Sequence, residues 1–100
     1  MKRTKSMIYK ESAESKELMI CTINNGDYYL LIQGVIKSLA KKAKKGVYDS
    51  EKAVDAWYHV ANHVSKWYYK DFGYMFTVQE RFTAAVDMEE YYRDEVFETV

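Results

Sequence analysis

The sequence has no proline, only four glycines and a single cysteine among its 100 residues. Tight turns and hairpins depend on glycine and proline, so their scarcity argues against a fold of many short strands and favours helices. With Cys21 alone, neither an intramolecular disulfide nor a zinc site of several cysteines can form. We therefore expect an all-α protein in a reducing, cytoplasmic setting.

Long hydrophobic runs are also missing. The most apolar stretch, residues 28–32, is far shorter than the ~20 residues that a transmembrane helix needs. The basic residues 1–5 resemble the start of a signal peptide, but charged residues interrupt the apolar region that should follow. The sequence predicts no membrane span and no export signal.

The composition is that of one globular domain covering residues 1–100. Hydrophobic residues make up 48% of the chain and charged residues 30%. Aromatic residues reach 16%, more than so small a core needs, so we expect some of them at the surface or against a partner. Three adjacent tyrosine pairs should each divide, with one ring in the core and the other outside, because neighbours on a helix lie about 100° apart; they are Tyr28–Tyr29, Tyr68–Tyr69 and Tyr91–Tyr92.

Apolar residues spaced three and four apart predict three long helices, at about 27–45, 50–72 and 78–97. Residues 1–23 are predicted to be a short, partly disordered appendage that ends in a short helix. Short connections make consecutive helices antiparallel neighbours. The predicted fold is a small three-helix bundle with an N-terminal appendage.

The helix ends carry recognisable capping signals. Asp49 and Thr77 are predicted N-caps, and Glu80 completes a capping box with Thr77. Gly46 and Gly73 are predicted helix stops. In the last helix, the predicted inward stripe is Val78, Phe82, Ala85, Met88, Tyr92 and Val96, and the predicted solvated residues are Glu89, Glu90, Arg93 and Asp94.

The net charge is zero, but its sign changes along the chain. Residues 1–48 hold ten basic and four acidic residues, a net charge of +6, and residues 49–100 hold five and eleven, a net charge of −6. The acidic end of the last helix combines carboxylates with a tyrosine, which favours binding to a basic partner. The predicted partner-binding residues are Asp87, Glu90, Tyr91, Asp94 and Glu98.

A run of lysines in the first long helix supports an alternative, nucleic-acid binding through phosphate contacts. These candidates are Lys37, Lys41, Lys42, Lys44 and Lys45. The same lysines can instead complement the negative helix end and pair with the acidic last helix. Pairing between two copies would make a homodimer.

No catalytic motif is present. The chain lacks a phosphate-binding glycine loop, and the adjacent carboxylates of the last helix point in different directions, so we predict neither catalytic residues nor a cofactor. The one alternative is a metal site of Asp55, His59 and His63, which follow one another at four-residue steps. No glutamate follows His59 directly, as the familiar helical zinc hydrolases require.

Four short segments in residues 45–80 resemble a pattern in small uncharacterised bacterial and phage-borne proteins. The segments are KGVYDSEKAV at 45–54, WY at 57–58, YYKDFG at 68–73 and FTV at 76–78. The resemblance implies a small accessory protein of phage or mobile-element type, and such proteins often occlude a surface of a host complex. It transfers no functional residue. We expect a non-enzymatic protein that binds a host protein complex through its acidic, tyrosine-rich surface.

Overall fold

A computed structural model describes the backbone of residues 5–99 and the side chains of residues 14–99. Four helices and no strand are present in this part of the chain: α1 Lys5–Asn24, α2 Tyr29–Lys44, α3 Ser50–Phe72 and α4 Val78–Glu98, with one turn of 3-10 helix, Gly26–Tyr28, before α2. The all-α prediction is confirmed, and the three predicted long helices correspond to α2, α3 and α4. The predicted count of three is wrong, because α1 is a fourth long helix.

From residue 14 onward, the segment that was predicted to be an N-terminal appendage is part of the bundle. Helix α1 packs against α4 and α3, and Leu18 and Thr22 are fully buried there. Its buried face also includes Ser15, so hydrophobic periodicity is weak along this segment. The Thr22 hydroxyl donates to the Leu18 carbonyl at 2.7 Å, which satisfies a polar group inside the core. Of the segment predicted to be partly disordered, residues 1–4 lie outside the described residues.

The predicted caps are present. The Asp49 carboxylate accepts from the Glu51 amide at 2.9 Å and begins α3. Gly73 ends α3 in the left-handed conformation, φ 75°, and its amide donates to Tyr69 at 2.8 Å. These contacts define where α3 begins and ends.

Helices α3 and α4 each pack against all three other helices, and their contact with each other is the most extensive. Trp57 of α3 is fully buried and stacks on Tyr92 of α4, with ring centroids 4.7 Å apart. Around this pair the core is filled mainly by aliphatic residues, among them Leu18, Ile36, Val60, Val64, Met88 and Val96. The core is therefore organised around the contact between α3 and α4.

Packing against three other helices changes which residues of α4 are buried. Val78 and Phe82, predicted to face inward, are 64% and 52% exposed. Glu89, predicted to be solvated, is only 3% exposed. Because three helices pack against α4, the buried part of its surface is wider than a single apolar stripe. This buried part includes the small residues Ala84 and Ala85.

None of the described helices is both long enough and apolar enough to cross a membrane.

Candidate interaction surfaces

The predicted partner-binding residues lie together on α4. Asp87, Tyr91, Asp94 and Glu98 follow at steps of three and four, so they share one side of the helix, and Glu90 lies one turn before Asp94. We call these five residues the acidic face. Glu90, Asp94 and Glu98 are exposed, Tyr91 is 57% exposed and Asp87 is half-buried. At ~1.5 Å per residue, the acidic face extends over about 16 Å.

The acidic face borders a groove between α1 and α4. Lys16 and Met19 of α1 line the groove opposite Asp87, Glu90 and Tyr91, and its volume is about 500 Å³. Burial raises the pKa of Asp87, and the neighbouring Glu90 carboxylate adds to this rise while Lys16 opposes it. Even so, no carboxylate of the acidic face forms an ion pair with a described side chain.

Arg93 is the one cation of α4 beside the acidic face, and it binds elsewhere. Its guanidinium makes a bidentate contact with the buried Glu89 carboxylate, with 2.7 Å between Nε and Oε2. The Tyr48 hydroxyl donates to the same carboxylate at 2.9 Å. The hydrogen bonds from Arg93 and Tyr48 lower the pKa of Glu89 despite its burial. Glu89 therefore neutralises Arg93, and among the described side chains the four carboxylates of the acidic face form no ion pair.

Of the three tyrosine pairs, Tyr91–Tyr92 divides as predicted: Tyr92 is buried and Tyr91 is exposed. The two rings meet edge to face, with centroids 4.8 Å apart, so the buried ring supports the exposed one. Tyr29 and Tyr69 are likewise exposed, while their neighbours Tyr28 and Tyr68 are half-buried. Tyr91 thus offers a large, supported aromatic surface in the middle of the acidic residues.

The five candidate lysines form a second charged surface, on α2. We call Lys37, Lys41, Lys42, Lys44 and Lys45 the basic face. All five are exposed, and three of them line a groove of about 260 Å³ that also touches Thr99. Among the side chains of residues 14–99, none of them pairs with an acid of α4. The alternative of lysine pairing with the acidic helix within one chain is therefore not seen.

The predicted metal ligands do not come together. Asp55, His59 and His63 are all exposed. The two histidine rings touch edge to face, with centroids 4.7 Å apart. Across the described residues, no three His, Cys, Asp or Glu side chains are grouped so that they could hold a metal ion.

Hydroxyl-to-carboxylate contacts, which sequence reasoning missed, join α1 to the rest of the bundle. The Tyr68 hydroxyl donates to Glu17 at 2.9 Å. The Tyr74 hydroxyl lies 2.6 Å from a Glu14 oxygen and 3.2 Å from Glu80 Oε2. Tyr68 is 51 residues from Glu17 in the sequence. Tyr74 is 60 residues from Glu14 and 6 residues from Glu80, so helical spacing could not reveal these contacts.

Comparison with protein-family models, with curated proteins and with solved structures finds no match.

Proposed function

We propose that this chain is a non-enzymatic interaction protein that binds a basic surface of a host protein complex through the acidic face of α4. The observation that carries the proposal is that four carboxylates and an exposed tyrosine share one side of α4 and that none of the four forms an ion pair with a described side chain. The expected setting is the cytoplasm, and the expected role is that of a phage or mobile-element modulator.

The physical case combines charge and shape. An unpaired row of carboxylates attracts a basic groove, such as one that ordinarily holds nucleic acid, and speeds the encounter. Tyr91 can supply the apolar contact that charge alone does not, because tyrosine buries a large area at low entropic cost. The groove beside Met19 gives a partner side chain a place to insert. We expect affinity to fall as salt concentration rises.

The test is affinity capture from nuclease-treated host lysate with wild-type protein and with the double variant Glu90→Lys/Asp94→Lys. Both positions are exposed, so the variant should fold. We expect a host protein in stoichiometric amount with the wild type and its loss with the variant.

The matched control changes the net charge of the protein by the same amount, at two positions outside α4. Asp27 and Asp71 are also exposed, so Asp27→Lys/Asp71→Lys serves this purpose. The control should capture the same protein as the wild type. Equal capture by the α4 double variant, or no specific host protein with the wild type, would contradict the proposal.

A second candidate function is nucleic-acid binding through the basic face. The observation that favours it is that all five lysines are exposed and unpaired with the acids of α4 in the described structure. Fluorescence anisotropy with labelled DNA or RNA at low salt tests it. Replacing Lys41, Lys42, Lys44 and Lys45 by Gln should weaken binding for all sequences alike and flatten its salt dependence.

Four exposed lysines elsewhere provide the control for this variant: Lys16, Lys52, Lys66 and Lys70. Their replacement by Gln removes the same charge and should change the affinity less. Absence of binding by the wild type at low salt would exclude this function.

A further inference from the structure

A groove of about 520 Å³ lies between α3 and α4, on the side of α4 that carries Phe82 and Val86. Its floor is apolar: Val54 of α3 is buried, Val86 is half-buried and the Phe82 ring is 52% exposed. About half of Phe82 remains open to solvent in the described structure, so the floor includes exposed apolar surface beside the buried Val54.

The α3 wall of the groove is acidic. Glu51 and Asp55 both line it and lie four residues apart, so their carboxylates are on the same side of α3. Both are exposed, and within residues 14–99 neither has an ion-pair partner. Glu89 also lines the groove, but its carboxylate already accepts from Arg93 and Tyr48. The unpaired charge in the groove is therefore that of Glu51 and Asp55.

An apolar floor beside two unpaired carboxylates favours one kind of occupant. An apolar side chain can cover Phe82 and Val86, and a guanidinium or ammonium group one helical turn away can reach the carboxylates. The cation can also lie over the Phe82 ring. An anionic or purely polar segment would bring a like charge or leave the apolar floor uncovered.

We infer that the groove between α3 and α4 is a docking site for a basic amphipathic peptide segment of a partner protein, with an apolar side chain on Phe82 and Val86 and an arginine or lysine at Glu51 and Asp55. This surface is separate from the acidic face. The inference goes beyond the proposed function and does not depend on it.

The test uses a synthetic, end-capped helical peptide of leucines on one face flanked by arginines, together with a counterpart in which glutamate replaces each arginine. Binding is measured by anisotropy, and its location by amide shifts in ¹⁵N-labelled protein. We expect the arginine peptide to bind, with the largest shifts around Val54, Asp55, Phe82 and Val86. The glutamate peptide should not bind.

Two variants of the groove should weaken binding. Phe82→Ala should reduce affinity about tenfold, the effect of losing much of one buried aromatic side chain. Asp55→Lys should reduce affinity by a similar factor, and more at low salt than at high salt. Both positions are exposed, and circular dichroism checks that both variants fold.

The controls separate the groove from general attraction. Leu30→Ala removes an apolar side chain that is 82% exposed on α2, and Asp94→Lys reverses a charge on the acidic face. Each should change affinity less than twofold. The inference is overturned if Phe82→Ala binds as the wild type does, or if Asp94→Lys weakens binding as much as Asp55→Lys. It is also overturned if the shifts concentrate at residues 87–98, a result that would leave the proposed function intact.

Discussion

Replacing Glu80 by alanine should destabilise the protein, whereas replacing it by glutamine should not. Glu80 is 2% exposed at the start of α4, where its carboxylate accepts from the Thr77 amide at 2.8 Å. Its own amide donates to the Thr77 hydroxyl at 3.1 Å, which completes the capping box. The Tyr74 hydroxyl lies between the carboxylates of Glu80 and Glu14. One side chain thus connects the start of α4, the preceding loop and α1.

The cost of Glu80→Ala follows from the contacts that it removes. Loss of half of a capping box costs about 1 kcal/mol. The Tyr74 hydroxyl keeps its shorter contact with Glu14, so loss of the longer contact with Glu80 adds at most about 1 kcal/mol. For a domain of this size, each 1 kcal/mol lowers Tm by about 4–8 °C, so the expected decrease is roughly 4–16 °C.

Glu80→Gln retains an oxygen for the Thr77 amide and removes the charge. Burial raises the pKa of Glu80, and the nearby Glu14 adds to this rise, so the folded protein favours the protonated form more than the unfolded chain does. The contribution of this group to stability is therefore complete below about pH 4.5, the ordinary pKa, and is lost as pH rises through the raised pKa. Gln mimics the protonated form at every pH.

Thermal unfolding followed by circular dichroism at pH 7 and at pH 4.5 tests this reasoning. At pH 7 we expect Glu80→Gln to melt at or above the temperature of the wild type, and the difference should narrow at pH 4.5. A Glu80→Gln protein that melts as low as Glu80→Ala at pH 7 would refute the argument.

Further predictions concern α1, Tyr48 and the acidic face. Leu18→Ala should lower the free energy of unfolding by about 2–5 kcal/mol in denaturant titration, because Leu18 is fully buried; a near-neutral result would contradict the packing of α1. Tyr48 should ionise near pH 12 in ultraviolet titration, because burial and its hydrogen bond to Glu89 raise its pKa to about 12. The stability that Tyr48 contributes is complete below pH ~10 and is lost as pH rises through about 12. In the ultraviolet titration, Tyr48→Phe should remove one tyrosine that ionises near pH 12. Tyr91→Ala should leave Tm within about 2 °C of the wild type, because the ring is exposed, yet weaken capture of the host protein.

The parts of the fold that depend on local chemistry could be predicted from the sequence. A cap involves residues two or three apart, so Asp49, Thr77 and Glu80 reveal where α3 and α4 begin. Gly46 and Gly73, which both have positive φ, follow α2 and α3 for the same local reason. The division of Tyr91–Tyr92 follows from helical geometry alone.

The parts that depend on distant partners could not be predicted. Its charge predicted that Glu89 would be solvated. Inside the bundle, however, its carboxylate accepts a hydrogen bond from Tyr48, which lies 41 residues away in the sequence. Helix α1 was predicted to be too short because its buried face includes Ser15 and Thr22, whose polarity obscures the hydrophobic pattern.

The same distinction applies to the surfaces. The acidic face could be predicted because spacing along one helix determines which residues share a side. The groove between α3 and α4 could not, because it depends on how two helices pack, and the predicted stripe had placed Phe82 in the core. The adjacent residues Ala84 and Ala85 are both fully buried, as expected of a helix that packs against more than one neighbour.

The most direct test of the central claim, that the acidic face of α4 binds a basic partner, is calorimetric titration of the captured host protein across a range of salt concentrations. Wild-type protein should bind with an affinity that falls steadily as salt increases, and Glu90→Lys/Asp94→Lys should lose most of this affinity at low salt while its melting temperature stays unchanged. Equal affinities of the two proteins, at every salt concentration, would contradict the claim.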